Sequence, residues 1–421
     1  MTQQDNSNQY KPVFSKANMP LTMQYLGGKS RIVDNIFDSI KQSFPEVNTF
    51  VDLFSGSGVV AYQASHLGYR VIANDIQPYS ACILRSILKK TSDNMQPLIF
   101  RLEEITNSEL FSKNREEYLQ DFLVEDDFFN KAFEENLNWK EYEYFCNNTV
   151  LIDGTRAEAD RLSKEKPWTL FLAYYRNTYF GVRQCAELDF LKELSFELSE
   201  NIRDQLDACI ISVMTDCVSS TTHLAQYLKP SSEKSAYNLL KKRKKSLINE
   251  TIKRLNSISS KPFIQDADVY NLDFRQALKI LPQYKDMIIY ADPPYFKEHY
   301  SRYYHVLDTY IIYDYPELTF NKVLGKTTVG RYREGRLVSP FGKRSTAKSA
   351  FEVLLKQSIS KRAKLVISYA CSSIVDLSFF KELSETYKIP LIIDEFNLVH
   401  TGQGQSRHKS VTEYLLKFDI K

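Results

Sequence analysis

The spacing of apolar positions splits the chain into two α/β stretches around a helical middle. Ile32, Val33, Ile36, Phe37 and Ile40 recur on one helical face just after a Gly27-Gly28 turn, which predicts an amphipathic helix. Residues 49–54 form a short apolar run ending in Ser55-Gly56-Ser57-Gly58, the pattern of a buried strand opening into a glycine loop. A helix over 59–67 and a second strand over 69–73 complete a strand–loop–helix–strand unit. From about residue 83 to 260 the pattern is charged, helical in period and poor in alternating runs. Strand character resumes near Asp268, with further strands predicted over 287–291, 365–369, 390–396 and 411–418. The expected fold class is α/β, its sheet interrupted by a helical insertion. A polar N-terminal arm is expected over 1–20, a main domain over 21–82 and 262–421, and the insertion over 83–261.

Composition narrows the class without naming a function. A chain of 421 residues, 43% hydrophobic and 25% charged, has the make-up of a globular protein large enough for one domain plus an insertion. The 27 Tyr and 26 Phe suit stacking on planar ligands, and they also fill cores. Net charge is only +3, but it is unevenly spread. Residues 103–143 carry 13 acidic and 4 basic side chains, whereas 229–261 carry 10 basic and 2 acidic, and 322–364 carry 12 basic and 2 acidic. That asymmetry suits a protein laying one face on phosphates, and solvated helix faces are the alternative. Six scattered cysteines without a C-x-x-C pair are expected to be free thiols, with no metal site. No signal-peptide core and no apolar run of membrane-spanning length is visible, so a cytoplasmic location is expected.

Two strings carry candidate chemistry. In Phe50-Val-Asp-Leu-Phe-Ser-Gly-Ser-Gly58 a strand runs into glycines that let the backbone approach a ligand closely, although G-x-G alone is weak. Asp52, Phe54, Gly56 and Gly58 belong to this loop. Asp75, at the end of the next strand, suits ribose hydroxyls or a helix N-cap. Lys29, in Tyr25-Leu-Gly-Gly-Lys29, suits a ligand carboxylate or the surface, and Asp273-Phe274 lie where a further strand ends.

The stronger string is Ile288-Ile-Tyr-Ala-Asp292-Pro-Pro-Tyr295, an apolar strand ending in an acid, two prolines and an aromatic. The prolines stiffen the loop, so Asp292, Pro293, Pro294 and Tyr295 keep a set geometry. An amino group conjugated to a ring is a poor nucleophile. Two acceptors on its hydrogens, the Asp292 carboxylate and the Pro293 carbonyl, would localise its lone pair toward an activated methyl group. Tyr295 would stack on the ring.

Together, Tyr25-Leu-Gly-Gly-Lys29, Asp52-Leu-Phe-Ser-Gly-Ser-Gly58, Asp75, Asp292-Pro-Pro-Tyr295 and the stretch His299-Tyr-Ser-Arg-Tyr-Tyr-His305 resemble the Dam-like, alpha-group N6-adenine DNA methyltransferases. Leu365-Val-Ile-Ser-Tyr369 and Glu413-Tyr-Leu415 look similar to that group as well. The resemblance spans about residues 20 to 418 and matches least in the middle. It implies a Rossmann-like S-adenosylmethionine-dependent fold, a flipped adenine, and a helical insertion that reads double-stranded DNA. It further implies cofactor contacts from Tyr25, Lys29, Asp52, Phe54, Gly56, Gly58, Asp75, Asp273 and Phe274. A cognate restriction endonuclease acting separately is a candidate partner, and a monomer is expected. Candidate DNA contacts are the run Lys241, Lys242, Arg243, Lys244 and Lys245, which suits phosphates or solvent, together with His299, Tyr300, Arg302 and His305.

Three other readings bear on the same residues. N5-glutamine methylation of protein uses a similar loop, typically with Asn in place of Asp292 and without some 230 residues between Gly58 and that loop. Cytosine-N4 methylation commonly places Ser first in the loop. A catalytically silent DNA-binding regulator would not need Asp292, Pro293 and the glycine loop intact.

Overall fold

Seven strands pair into one mixed sheet, and each string singled out above sits at a strand end. The computed structural model describes residues 14–15, 19–25, 27–89, 93–220, 224–259, 267–284, 286–294, 300–371, 373–401 and 407–421. The strands are β1 (Thr49–Asp52), β2 (Arg70–Asn74), β3 (Asp268–Tyr270), β4 (Met287–Ala291), β5 (Lys364–Ala370), β6 (Leu391–Thr401) and β7 (Arg407–Phe418). Their order is β3-β2-β1-β4-β5-β7-β6. The first five run parallel, and β7 lies antiparallel between β5 and β6. This is the α/β sheet the sequence predicts, an arrangement in keeping with an S-adenosylmethionine-dependent methyltransferase fold.

Burial on both faces explains the continuous apolar runs of β1 and β4. Phe50, Ile288 and Val366 join the core under the helices Val33–Ser43, Val59–His66 and Pro78–Leu88. Val51, Ile289 and Leu365 face the opposite layer, built from Phe274–Ile280, Ala347–Lys361 and Leu377–Tyr387. The chain leaves the sheet after β2 and returns at β3, so the sheet is split as expected.

Where the insertion begins differs from the expectation. A boundary between residues 82 and 83 falls inside the helix Pro78–Leu88, a single element that packs both on β3 and on the insertion's longest described helix, Glu200–Cys217. Arg85 grips the Asp204 carboxylate through Nε at 2.7 Å and Nη2 at 3.0 Å, and Ser86 and Gln205 exchange hydrogen bonds. One apolar core runs without a break from Phe50 to Leu170 and Ile210. The segment after the Asp292 loop also joins the insertion, since Tyr310, Tyr313 and Tyr315 are buried against its helices. The N-terminal arm is docked where it is described: the Phe14 amide donates to the Asp34 carboxylate and Met19 is buried. Its remaining residues, 1–13 and 16–18, lie outside the described residues.

All six cysteines are free. Among the described residues no helix is long and apolar enough to cross a membrane, and no cluster of His, Cys, Asp and Glu is arranged to hold a metal ion.

Candidate catalytic cleft

A cleft of about 560 Å³ opens at the ends of β1, β2, β3 and β4. Tyr25, Lys29, Asp52, Phe54, Gly56, Asp75, Asp273, Phe274, Asp292, Pro293 and Pro294 all line it. Tyr25 and Pro294, 269 positions apart in sequence, therefore share one volume. Its size is ordinary for a small-molecule site.

The loop after β1 depends on its glycines. Gly56 has φ +52°, and a Cβ there would sit 2.7 Å from the Tyr25 hydroxyl. Gly58 does not line the cleft. It caps the helix Val59–His66 at φ +79°, and a Cβ would meet the Ile87 Cδ1 at 2.6 Å. Asn74, at the tip of β2, ties the neighbouring strand ends together through the Leu53 and Leu272 carbonyls, both at 3.1 Å. Asp75 accepts from the Gly56 amide and the Gln77 amide, each at 2.8 Å. The N-cap of the helix Pro78–Leu88 is Gln77, so Asp75 organises the loop rather than capping that helix. Asp273 caps the helix Phe274–Ile280 through the Arg275 amide. Phe274 packs with Phe54 and Phe341 into an aromatic wall. Opposite, Tyr25 stacks on Tyr304, with ring centroids 5.3 Å apart and planes 4° from parallel.

The electrostatics of the cleft are dominated by acids. Asp52 is 1% exposed, and neither of its carboxylate oxygens has a hydrogen-bond partner among the described residues. Burial first, then the charges of Asp292 and Asp75, push its pKa up to about 8, with the nearby Ser55 hydroxyl and Ala61 amide opposing only weakly. Burial also raises Asp292, to about 6, with Lys29 opposing and Glu413 adding to the rise. The buried Lys29 ammonium lies 3.2 Å from Asp292 Oδ1 and 3.2 Å from Glu413 Oε2. Lys29 thus holds two protein carboxylates, where a ligand carboxylate or the surface was expected. Glu413, on β7, is the site residue that sequence reasoning did not single out. It stood in the Glu413-Tyr-Leu415 string without a role; its signal was a lone acid next to the buried Leu415, Leu416 and Phe418. The segment Leu337–Pro340, which closes one side of the cleft, carries no motif at all.

The expected DNA contacts divide sharply. Lys241, Lys244 and Lys245 are exposed. Lys242 is half-buried and donates to the Val218 and Ser220 carbonyls at 3.0 and 3.1 Å. Arg243 is fully buried, with Nη1 2.9 Å from the Tyr142 hydroxyl and Nη2 3.1 Å from the Thr178 carbonyl. These two are structural, because the helix Glu233–Arg243 turns them inward. His305 is likewise buried between Tyr179 and Tyr332, and burial followed by the charges of Arg336 and Arg333 lowers its pKa to about 3. Arg302 does not line the cleft, although Ser301 and Tyr303 on either side of it do; it lines a smaller separate pocket, its Nε donating to the Tyr332 hydroxyl at 3.1 Å. Tyr295, His299 and the side chain of Tyr300 fall outside the described residues.

Comparison with known proteins agrees with this geometry. A family model described as D12 class N6 adenine-specific DNA methyltransferase matches residues 25–394. The chain is 22% identical over 403 residues to the type II methyltransferase M.FokI of Planomicrobium okeanokoites, covering 94% of this chain and 52% of that protein. It is 26% identical over 377 residues to the modification methylase LlaI of Lactococcus lactis subsp. lactis, covering 88% and 50%. A shorter match, 31% over 87 residues, is to the type II methyltransferase M.CviAII of Paramecium bursaria Chlorella virus 1, covering 20% and 27%. The chain spans about half the length of the first two relatives.

Proposed function

Because the chain belongs to the D12 class N6 adenine-specific DNA methyltransferases, we propose that it methylates N6 of a flipped adenine in double-stranded DNA, as the modification enzyme of a restriction–modification system in the cytoplasm. The observation that carries the reading is that Asp292-Pro293-Pro294 and the glycine loop line a single cleft together with the buried Asp52, whose carboxylate oxygens have no hydrogen-bond partner among the described residues.

The cleft fits S-adenosylmethionine, which supplies a methyl group already activated on a positive sulfur. A buried carboxylate without a hydrogen-bond partner calls for a cationic ligand, and Asp52 is such a group. The Phe54–Phe274–Phe341 wall suits an adenine ring, and Asp75 has carboxylate lone pairs beyond its two amide donors for ribose hydroxyls. Asp292 and the Pro293 carbonyl then accept from the target amino group, and the two prolines hold that pair rigid. Asp292 serves as an ionised acceptor, and the proton leaves only as the new carbon–nitrogen bond forms. Tyr295 stacks on the flipped base. The helical region over 83–261 reads the target sequence, with Lys241, Lys244 and Lys245 on phosphates and His299, Tyr300 and Arg302 beside the flipped base. The enzyme acts as a monomer, and a cognate endonuclease works separately.

Incubation with labelled S-adenosylmethionine and DNA, followed by nucleoside analysis, tests this. Label is expected in N6-methyladenine, and label in N4-methylcytosine would overturn the base assignment. Asp292→Ala should lower the rate by about 10²–10³-fold while DNA and cofactor still bind. Undiminished transfer by that variant would remove the mechanism.

A further inference from the structure

Lys29 does something the cofactor reading leaves unexplained. It is a buried ammonium placed at equal distance, 3.2 Å, from two carboxylates on different strands, Asp292 after β4 and Glu413 on β7. An ammonium has three N–H donors, so Lys29 can serve both acids at once, each drawing on the same positive charge. The partner acid is delivered by fold topology: β7 runs antiparallel beside β5 and pairs Glu413 with Ala370, itself in the cleft wall. Resting on the methyl-transfer reading above, we propose that Glu413 is a positioning residue, which by sharing Lys29 keeps Asp292 oriented yet open as a hydrogen-bond acceptor for the target amino group.

The chemistry of the three groups supports this division. Asp292 is faced by Lys29 from the turn before the first helix, by Glu413 from β7, by Asp52 from β1 and by the Tyr290 phenol of its own strand. With Lys29 absent, three acids would crowd one dry cleft and Asp292 would take up a proton, becoming a donor where an acceptor is needed. With Glu413 absent, Asp292 would lose its acidic competitor for the Lys29 charge and be held more tightly by it. The shared lysine avoids both states.

The test uses the full chain, labelled S-adenosylmethionine and DNA in single-turnover reactions, with the pH dependence of kcat/KM for the cofactor as the second readout. Glu413→Gln is expected to slow transfer by roughly ten- to hundredfold with cofactor affinity changed less than the rate. Its acid limb should move to lower pH, because Asp292 loses a negative neighbour and gains the full ammonium. Lys29→Met should move the acid limb to higher pH. Since Glu413 works through Lys29, the double variant should cost less than the two single losses combined. An unaltered rate in Glu413→Gln, a loss with the acid limb unmoved, or fully additive losses would each overturn the inference. If Glu413→Gln does not fold, the Lys29→Met profile decides: an upward shift supports the proposal and no shift overturns it. Wild-type protein that transfers no methyl group to DNA would instead overturn the reading on which it rests.

Discussion

Two regions of this molecule bury charge, and they treat it in opposite ways. In the helical region Asp189 accepts from the Phe171 amide at 2.8 Å, the Leu172 amide at 2.9 Å and the Tyr313 hydroxyl at 2.6 Å. Lys192 meets Asp207 at 2.8 Å, and Arg243 is ringed by oxygen and sulfur acceptors. In the cleft, Asp52 is equally buried and has no hydrogen-bond partner among the described residues. Burial raises both carboxyls, Asp189 to about 7 and Asp52 to about 8, so burial and pKa alone would rank them together. Satisfaction separates them. A buried acid with its hydrogen bonds complete holds the fold, whereas one left incomplete is the candidate for binding a ligand.

That comparison breaks most readily at Arg243. Truncating it strands Tyr142 and the nearby acid Glu125 in a dry interior, so Arg243→Ala should cost about 3–5 kcal/mol of stability in chemical denaturation. If Arg243→Ala instead left stability intact and weakened DNA binding, the structural assignment of this arginine would be wrong.

A sharper form applies one substitution to both regions. Asp52, with its pKa raised to about 8 from 3.8, contributes most to stability when protonated. Its contribution is complete below about pH 4 and is lost as pH rises through about 8. Asp52→Asn should therefore stabilise the ligand-free protein at pH 8 by on the order of 1 kcal/mol, read as a higher melting temperature, while weakening cofactor binding. Asp189→Asn should destabilise by about 1–3 kcal/mol, because a carboxylate serving three donors is replaced by a poorer acceptor. Equal signs for the two variants would dissolve the distinction.

The smallest expected effect is at the exposed end of the basic run. Lys244→Ala should leave the melting temperature unchanged and reduce the salt dependence of DNA binding by about one counterion. A change in melting temperature would show that Lys244, like Arg243, belongs to the interior.

The sequence was most legible where function is written in contiguous residues. The glycine loop and Asp292-Pro293-Pro294 each fix a local backbone shape, and the fold only had to bring them together. The basic run was misleading because a string of like residues hides which face each occupies. Ala236, Leu239, Leu240 and Arg243 follow helical spacing and all are buried, so the periodicity that placed the leucines inside also placed the arginine there. Lys242 was drawn in by the Val218 and Ser220 carbonyls, which no pattern announces. Glu413 escaped for a different reason: its meaning lies in a contact with a residue 384 positions away.

The helix Pro78–Leu88 carries a consequence for attempts to exchange target specificity between enzymes of this kind. Its N-terminal end holds the Gly56 carbonyl through Ser80, and its C-terminal half both presses Leu84 and Ile87 against Gly58 and is riveted through Arg85 and Ser86 to Asp204 and Gln205. A graft that replaced the helical region from residue 83 onward would therefore replace half of the glycine loop's own buttress. A foreign insertion joined after Leu88, with a matched partner for Arg85, leaves that buttress whole.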